Sequence, residues 1–571
     1  MTHVVTQACC GDASCVFACP VNAIHPTPDE PDFGTAEMLY IDPVSCVDCG
    51  ACVSACPVGA ISAQDKLAPA QLPFVDLNAM FHAEPRERPV QAPVPPVVAR
   101  TGRDEVRIAI VGSGPAALYA ADELLKRPGV RVTVLDRLPT PYGLVRAGVA
   151  PDHRATKSVG TLFRQIEDQD GFSYALGVEV GRDITPSELA AHHHAVIYAT
   201  GASLDRRLGI EGEDLPGSAT ATAFVAWYNG HPDHAHRIFD LSAERAVIVG
   251  TGNVALDVAR ILATDPSELA ATDIAEHALD ALRDSAVREI VLLGRRGAAQ
   301  AAFTLPELIG LVGRDDIEFV VEGDDLSDEP ADPLGAEKIS LLRAAVARPA
   351  PPGARRIVFR FATSPRSIHG RGRVESLVTH RNELDDRRGI VLPVPTDDLA
   401  TIETGLVLRS IGYRGAAIAG LPFDQATATI PHITGRVDEV PGTYVVGWIK
   451  RGPHGFIGTN KSCARETVDQ LITDLNAGVL PPPSGSATAF DAILRSRVRR
   501  AVDLRGWRAI DRREREEGAR VGRPRRKLVA IDALLAAAEP APVRRRPRVA
   551  RFGRSRAVRD ASGAGAPSSP E

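Results

Sequence analysis

Apolar and polar positions divide the chain into parts with different periods. A β-branched stretch, Val106 to Ala109 and Val111, runs into a Gly-rich turn, a helix-forming run from Ala116 to Lys126 and a second β-branched run from Val130 to Leu135. Strand, helix and strand in that order predict a βαβ unit. The pattern starts again at Arg245, with a strand over Ala246 to Val249, a helix over Val254 to Ala263 and a strand over Glu289 to Leu293. Four short β-branched segments, Ile357 to Phe361, Val374 to Thr379, Leu406 to Ile411 and Thr443 to Gly447, are expected to complete the first unit's sheet. Phe490 to Ala538 reads as mainly helical.

Before Val106 the pattern changes. Ala18-Cys19-Pro20-Val21-Asn22-Ala23-Ile24 recurs as Ala55-Cys56-Pro57-Val58-Gly59-Ala60-Ile61, which predicts two copies of one small unit. Glu84 to Arg100 holds Pro85, Pro89, Pro93, Pro95 and Pro96 with few large apolar residues, the composition of a semi-rigid tether of about 3.1 Å per residue. The expected organisation is a head of two repeated units over 1–80, a linker over 81–104 and a first βαβ domain from 105 to 244. A second such domain follows over 245–320, extending to about 370. Its remainder and a return to the first domain span 321–480, with a helical part at 481–540 and an Arg-rich, disordered tail at 541–571.

Composition narrows the class. A chain of 571 residues has room for several cores, and 44% hydrophobic and 24% charged residues argue against a disordered or collagen-like chain. No run approaches the ~18 apolar residues of a membrane span, and Met1 to Cys10 has neither a basic start nor an apolar stretch. The reading is therefore a cytoplasmic protein with no membrane span and no nucleic-acid partner. The net charge of −6 hides polarised ends: residues 1–80 carry nine acids against Lys66, and residues 541–571 carry eight arginines against Asp560 and Glu571. Eight of the nine cysteines fall between residues 9 and 56, and in a reducing compartment such a cluster reads as metal binding.

Cys46-x2-Cys49-x2-Cys52-x3-Cys56-Pro57 is the spacing in which three thiolates hold one cubane and the fourth cysteine reaches another cluster. Zinc modules pair separated CxxC knuckles, so zinc fits poorly. The first copy reads Cys9-x2-Asp12-x2-Cys15-x3-Cys19-Pro20, with Asp12 where the second thiolate belongs. The crossed pattern assigns Cys46, Cys49, Cys52 and Cys19 to a [4Fe-4S] cluster, and Cys9, Cys15 and Cys56 to the other. That second cluster is [4Fe-4S] with Asp12 on the fourth iron, or [3Fe-4S] without it; an ordinary turn acid is the alternative role for Asp12. Cys10 in place of Cys9 would break the match between the copies.

Gly112-Ser113-Gly114-Pro115-Ala116-Ala117 follows a strand and opens a helix, so it reads as a dinucleotide fingerprint with the pyrophosphate at the helix N-terminus. Asp136 ends the next strand, where an acid accepts ribose hydroxyls. The second fingerprint, Gly250-Thr251-Gly252-Asn253-Val254-Ala255, meets Gly294-Arg295-Arg296 at that place. Arginines there suit the 2′-phosphate of NADP, the alternative being a solvated pair. Thr264 to Ala286, inserted before that strand, is helix-forming.

Residues 106 to about 540 resemble the adrenodoxin reductase type of ferredoxin-NADP reductase. The resemblance rests on Pro139-Thr140-Pro141-Tyr142-Gly143-Leu144-Val145-Arg146, Gly148-Val149-Ala150-Pro151-Asp152-His153, Ala199-Thr200-Gly201, Gly252 to Asp257 and Gly447-Trp448-Ile449-Lys450-Arg451-Gly452-Pro453. With its head the whole chain resembles bacterial fusions of a two-cluster ferredoxin with such a reductase. The implied fold is an α+β ferredoxin-like iron–sulfur domain followed by an α/β flavoprotein with two dinucleotide-binding domains. The resemblance implies FAD on Gly112, Gly114, Pro115, Ala116, Asp136, Leu144 and Val180, with Trp448, Gly455, Phe456 and Ile457 closing over the flavin. It places NADP(H) on Arg206, Gly252, Asn253, Val254, Arg295, Arg296, Glu307 and Gly455, and sets His153 beside the flavin to tune hydride transfer; a packed histidine is the plainer role.

These parts imply one machine. NADPH gives up two electrons together, a cluster accepts one, and a flavin can do both. The expected activity is that of an NADPH-dependent ferredoxin reductase with its own ferredoxin, delivering electrons to proteins such as ferredoxins or cytochromes P450. The alternative, reduction of a small organic substrate, needs a further pocket. The acidic head is expected to swing on its tether and dock by charge on Arg146, Arg154, Lys450 and Arg451.

Overall fold

The computed structural model describes residues 2–539, apart from 85–87, 90, 92, 96–97, 325, 328–329, 331, 389 and 481. The expected disorder of the 541–571 tail lies outside the described residues.

The head is built from two antiparallel pairs, His3–Val5 with Ile61–Ala63 and Ile24–His25 with Tyr40–Ile41. Its repeated segments form short helices, Ser14–Ala18 and Ala51–Ala55, that pack on each other. Buried Asn78, on the helix Pro73–Phe81, accepts from Val5 N at 3.2 Å and Ile41 N at 2.9 Å, and so joins the two pairs.

Val106–Val111 lies inside a seven-stranded sheet, flanked in parallel by Val130–Asp136 and Ala195–Tyr198. Both of its neighbours are parallel, so its side chains are covered on both faces and its sequence is almost continuously apolar. The helix Pro115–Leu125 makes the first crossover. A second sheet has six parallel strands in the order Ser218–Thr220, Leu406–Arg409, Arg245–Val249, Glu289–Leu293, Arg355–Arg360 and Ile317–Glu322. Inserted residues before Glu289 form the helices Pro266–Leu269 and Glu276–Arg283. The chain crosses between the units twice, through Leu204–Asp205 and Tyr413–Arg414, which pair antiparallel.

Of the four β-branched segments assigned to the first sheet, only the last belongs there, as Thr443–Val445 beside Ala195–Tyr198. Arg355–Arg360 and Leu406–Arg409 complete the second sheet, and Val374 to Thr379 feeds Ser376–Arg387, in a separate antiparallel sheet with Thr363–His369 and Ile390–Glu403. A β-branched run marks a strand; which edge it joins is set by the crossover that delivers it. The same reasoning moves the start of the second unit ahead of residue 245, since Ser218–Thr220 and the helix Ala221–Tyr228 pack on the second sheet.

Described parts of the Pro-rich segment are tied down at both ends. Pro89 O accepts from Asn22 Nδ2 at 2.7 Å, Ala99 O from Arg127 Nε at 2.8 Å and Arg100 O from Asn476 Nδ2 at 2.9 Å. The C-terminal helices Ala487–Arg497, Leu504–Ala519 and Ile531–Ala538 pack on the first unit, where Val502 bridges Leu176.

Candidate active site and iron–sulfur sites

The two nucleotide turns share one construction. Gly112 has φ +104°, and a Cβ there would lie 2.4 Å from Ala199 O; Gly250 has φ +122°, and a Cβ would lie 2.2 Å from Ser410 O. Neither position tolerates a side chain. By contrast, a Cβ on Gly114 or Gly252 would meet nothing within 4 Å. Each of these glycines is the N-cap of its helix and leaves open space before the N-terminal amides, the cradle a pyrophosphate fills. Pro115 and Ala116 form the first turn of one helix, Asn253 and Val254 that of the other.

The strand ends differ as expected. Asp136 accepts from Ser113 N at 3.0 Å, Ser113 Oγ at 2.6 Å and Leu138 N at 2.9 Å, so its carboxylate is aimed at the turn. Burial raises its pKa against those hydrogen bonds. Arg295 is exposed and Arg296 half-buried at the other strand end; among the described residues neither has an ion-pair partner. Arg206, also exposed, sits at the domain crossing, where its N–H donates to Gly412 O at 3.1 Å.

Motif residues gather around the first turn. Gly143 brings Leu144 beside it: a Cβ on Gly143 would stand 3.1 Å from Gly114 Cα. Val180 follows Asp136 closely in space, since Val178 N donates to Asp136 O at 2.8 Å. Gly447 packs on the start of the helix Pro115–Leu125, where an added Cβ would be 2.6 Å from Ala116 Cβ. Trp448 Nε1 donates to His454 O at 3.2 Å, which ties the start of the helix Trp448–Arg451 to the Gly455–Phe456–Ile457 loop. Buried Arg451 Nη1, beside that loop, has no protein partner among the described residues.

His153 stands between the units. Its Nε2 lies 3.9 Å from Asp257 Oδ1 and 3.8 Å from Glu307 Oε2. Arg260 braces the group, with Nε 2.6 Å from Asp152 Oδ2 and Nη2 2.6 Å from Asp257 Oδ1. Burial alone would raise Asp152, but the Arg260 charge and hydrogen bonds outweigh it and hold the carboxyl at about 2. Glu307 is raised by burial, opposed by His153 and Arg260. Sequence reasoning named His153 and Glu307 and missed Asp257 and Arg260 as their partners; the Asp257 motif had been quoted only as part of the resemblance.

In the head, a small cavity is lined by Cys19, Cys46, Cys49 and Cys52. The coupling of Cys52 to Cys46, Cys19 and Cys49 puts these four thiols together, and burial pushes Cys52 up to about 11. Cys15 is coupled most strongly among thiols to Cys9 and then to Cys56, which separates a second set. Cys10 instead buries its side chain in the core of the first nucleotide unit. Buried neutral thiols with no nearby base are converted to thiolates by a cationic metal, so the donor sets fit iron–sulfur clusters. Asp12 is buried, but its carboxylate accepts from Ser14 N at 3.3 Å and from Ser14 Oγ, and lies 3.4 Å from Lys461 Nζ.

The head is not loosely tethered. Gly458 N donates to Cys10 O at 2.6 Å, and a Cβ on Gly458 would fall 2.1 Å from Asp12 N. Gln7 Nε2 donates to Glu307 Oε2 at 3.0 Å, and Glu37 Oε2 accepts from Leu305 N at 2.7 Å. The charge-driven docking face is corrected. Arg146 is engaged by fully buried Glu514 at 2.6 Å, Arg154 by Ala271 O, Lys450 by Glu466 at 2.6 Å and Arg451 by Asn460 at 3.2 Å. Those bases are held by elements outside the head, whereas Lys461 meets the head at Asp12. No spacing in the sequence pointed to Gln7, Glu37 or Lys461.

A groove of about 1050 Å³ lies at the opposite end of the second sheet, around Arg245, Glu289 and Arg356. These begin their strands, whereas nucleotides bind at strand C-terminal ends.

Two family models match. Residues 8–60 match the 4Fe-4S dicluster domain and residues 106–292 the pyridine nucleotide-disulphide oxidoreductase family. The fold and the two nucleotide turns thus define an oxidoreductase of FAD and NADP(H) joined to an iron–sulfur domain. The chain is 52% identical over 564 residues to a probable ferredoxin/ferredoxin–NADP reductase of Mycobacterium bovis, covering 95% of this chain and 96% of that protein. It is 40% identical over 463 residues to the mitochondrial NADPH:adrenodoxin oxidoreductase of Arabidopsis thaliana, covering 76% of this chain and 95% of that one. The solved structure of Mycobacterium tuberculosis FprA in complex with NADPH matches with a TM-score of 0.73 at 46% identity, covering 76% of this chain and 99% of that chain. The chain belongs to the ferredoxin/ferredoxin–NADP reductase family. No helix among the described residues is long and apolar enough to cross a membrane.

Proposed function

We infer that the chain carries electrons from NADPH to an external one-electron acceptor, with its head as the outlet. Bound FAD would supply the exchange between hydride and single-electron chemistry, and iron–sulfur clusters would supply one-electron transfer. The protein's residues bind and order those groups. Gly112, Gly114, Pro115, Ala116, Asp136, Leu144 and Val180 would hold FAD, with Trp448 and Gly455 to Ile457 over the flavin. Arg206, Gly252 to Val254, Arg295, Arg296, Glu307 and Gly455 would hold NADP(H), with Glu307 toward the nicotinamide and His153 beside the flavin.

One observation carries the direction. Within the head, Cys9 and Cys56 pack against the first unit's core, as does Ile457, and Gly458 N donates to Cys10 O, while Cys49 of the other set is exposed, as are Val44 at 92% and Val47 at 59% exposure. The first set thus lies toward the reductase through Cys9 and Cys56, and the second reaches solvent at Cys49. With Asp12 engaged by Ser14 and Lys461, the first set offers three thiolates, which supports [3Fe-4S] there and [4Fe-4S] on the second set. Acceptors of matching chemistry include ferredoxins and cytochromes P450. Thiols that must stay reduced to bind iron suit the cytoplasm.

The test uses the whole chain with NADPH. It should reduce cytochrome c without added ferredoxin. Cys49→Ser should lose most of that activity while keeping its flavin and its NADPH–ferricyanide turnover, because ferricyanide takes electrons straight from flavin. Cytochrome c reduction retained in that variant would put the outlet elsewhere.

A further inference from the structure

The helix Leu305–Val312 carries Glu307, and it is incomplete on its own. A threonine at the N-cap ordinarily satisfies its helix's first free N–H groups. Here Thr304 makes no cap bond; its Oγ1 accepts from Asn253 Nδ2 at 3.1 Å, and its N–H donates to Asn253 Oδ1 at 2.9 Å. The cap residue is thus committed to the second nucleotide turn. Leu305 N, one of the free N–H groups of the first turn, donates at 2.7 Å to Glu37 of the head, a carboxylate at the positive end of the helix dipole.

Two residues on, Gln7 reaches from the head to Glu307 Oε2 at 3.0 Å. Its path depends on Gly310, where any Cβ would lie 2.3 Å from Gln7 Nε2. Leu305 and Ile309 complete the grip by burying their side chains in the head's own core. Cap, anchor and apolar contact all come from the iron–sulfur domain and act on the eight residues that place Glu307.

The geometry points to Gln7 and Glu37 as positioning residues for NADP(H) chemistry: the head, besides receiving electrons, holds the Glu307 carboxylate in place opposite His153. This rests on the reading that Glu307 faces the nicotinamide. Gln7 donates to the ionised form of Glu307 and so opposes its desolvation. The other charged groups facing Glu307 are His153, Asp257 and Arg260, the last paired with Asp152. Glu37 faces the same helix at its start.

The experiment is NADPH–ferricyanide turnover against pH with the full chain, which bypasses the electron outlet. In Gln7→Ala, Glu307 loses a donor, so the acid limb of the profile should move up by about one pH unit, with FAD content and cluster absorbance unchanged. Gln7→Glu sets a second carboxylate against Glu307 and should move it further in the same direction. Glu37→Ala should lower kcat, and Glu37→Gln, which keeps an acceptor for Leu305 N, should restore it. Those two variants lie away from the cysteines and keep the test open if a Gln7 substitution disturbs cluster assembly. A merely structural contact would reduce cofactor content without moving the profile. An unshifted profile in Gln7→Ala, or no difference between Glu37→Ala and Glu37→Gln, overturns the inference. Glu307→Gln separates the two levels: if it leaves the profile unchanged, the reading of Glu307 fails. If it removes the acid limb while Gln7→Ala and Glu37→Ala behave as wild type, only the inference about the head fails.

Discussion

The two halves of the cysteine-rich head have nearly the same backbone and opposite surroundings. Ala13 with φ 60° and Gly50 with φ 73° open equivalent five-residue helices, and Cys19 and Cys56 end them with φ −77° and −76°. Each terminal thiol accepts from the amide four residues on, Ala23 N at 3.2 Å and Ala60 N at 3.3 Å. Yet Cys10, Asp12, Ala13 and Cys15 are buried, whereas Val44, Val47 and Cys49 are exposed. The repeat dictates a local turn and helix twice over; the reductase covers one copy and leaves the other open, and that contact makes their surroundings unequal. An electron relay needs such inequality, with one site facing the donor and one facing the acceptor.

The strongest way to break the asymmetry is to push the covered half off its seat. Gly458→Val drives a side chain into the Gly11–Asp12 backbone, and overpacking of this kind costs about 1 to 3 kcal/mol. The docking constant should fall on the order of ten- to a hundredfold, and NADPH–cytochrome c reduction with it, while ferricyanide turnover, which needs no outlet, should fall far less. Equal rates for both acceptors in variant and wild type would mean that the contact is not the route.

The nucleotide turns are a second duplicated device, and there the difference lies at the strand ends. Replacing Arg295 and Arg296 by alanine should raise the NADPH Michaelis constant on the order of ten- to a hundredfold, for about 1.5 to 3 kcal/mol of lost charge-assisted contact, and leave NADH nearly untouched. Equal losses with both nucleotides would show the pair to be structural.

A smaller effect concerns how the two units meet. Asp152 is held at about 2 in the folded protein by Arg260, below the ordinary aspartate value of 3.8. A depressed acid contributes stability that is present above its unfolded pKa and lost as pH falls through its folded one, so about 2 kcal/mol should disappear between pH 4 and 2. In acid-unfolding curves Asp152→Asn should lack that component. A variant curve parallel to wild type across this window would remove Asp152 from the contact.

The finest adjustment returns to Asp12. Asp12→Cys makes the covered half match the exposed one in ligands, and iron analysis should then find a fourth iron at the first site. An unchanged iron count would mean that the Cys9 register is wrong, or that the Ser14 and Lys461 contacts hold position 12 away from the cluster.

Much of this was legible from residues close in sequence. The Cys-x2-Cys-x2-Cys-x3-Cys-Pro spacing, the fingerprints at Gly112 and Gly250, Asp136 at one strand end and Arg295–Arg296 at the other each depend on fewer than about fifty residues of chain. Their conformations are local: glycines where φ is positive, a helix started by an open turn, an acid or a base at the end of the next strand. Local sequence carries that information because backbone sterics and hydrogen bonding act over a few residues.

What the sequence left open were matters of pairing between distant segments. A β-branched run such as Ile357 to Phe361 declares a strand but not its sheet, and it went to the second one through a crossover that composition does not encode. Arg146 looked like a docking base and proved to be held by Glu514, 368 residues away. The seating of the head depends on Gln7 meeting Glu307, Glu37 meeting Leu305 N and Asp12 meeting Lys461. Such contacts follow from the shapes of two finished surfaces, so no period or spacing within one segment announces them. The sequence by itself determined which cofactor chemistry each segment can hold. Only the tertiary structure decided that the ferredoxin head is built against the helix that carries Glu307, because a hydrogen bond between segments 300 residues apart exists only after both have folded.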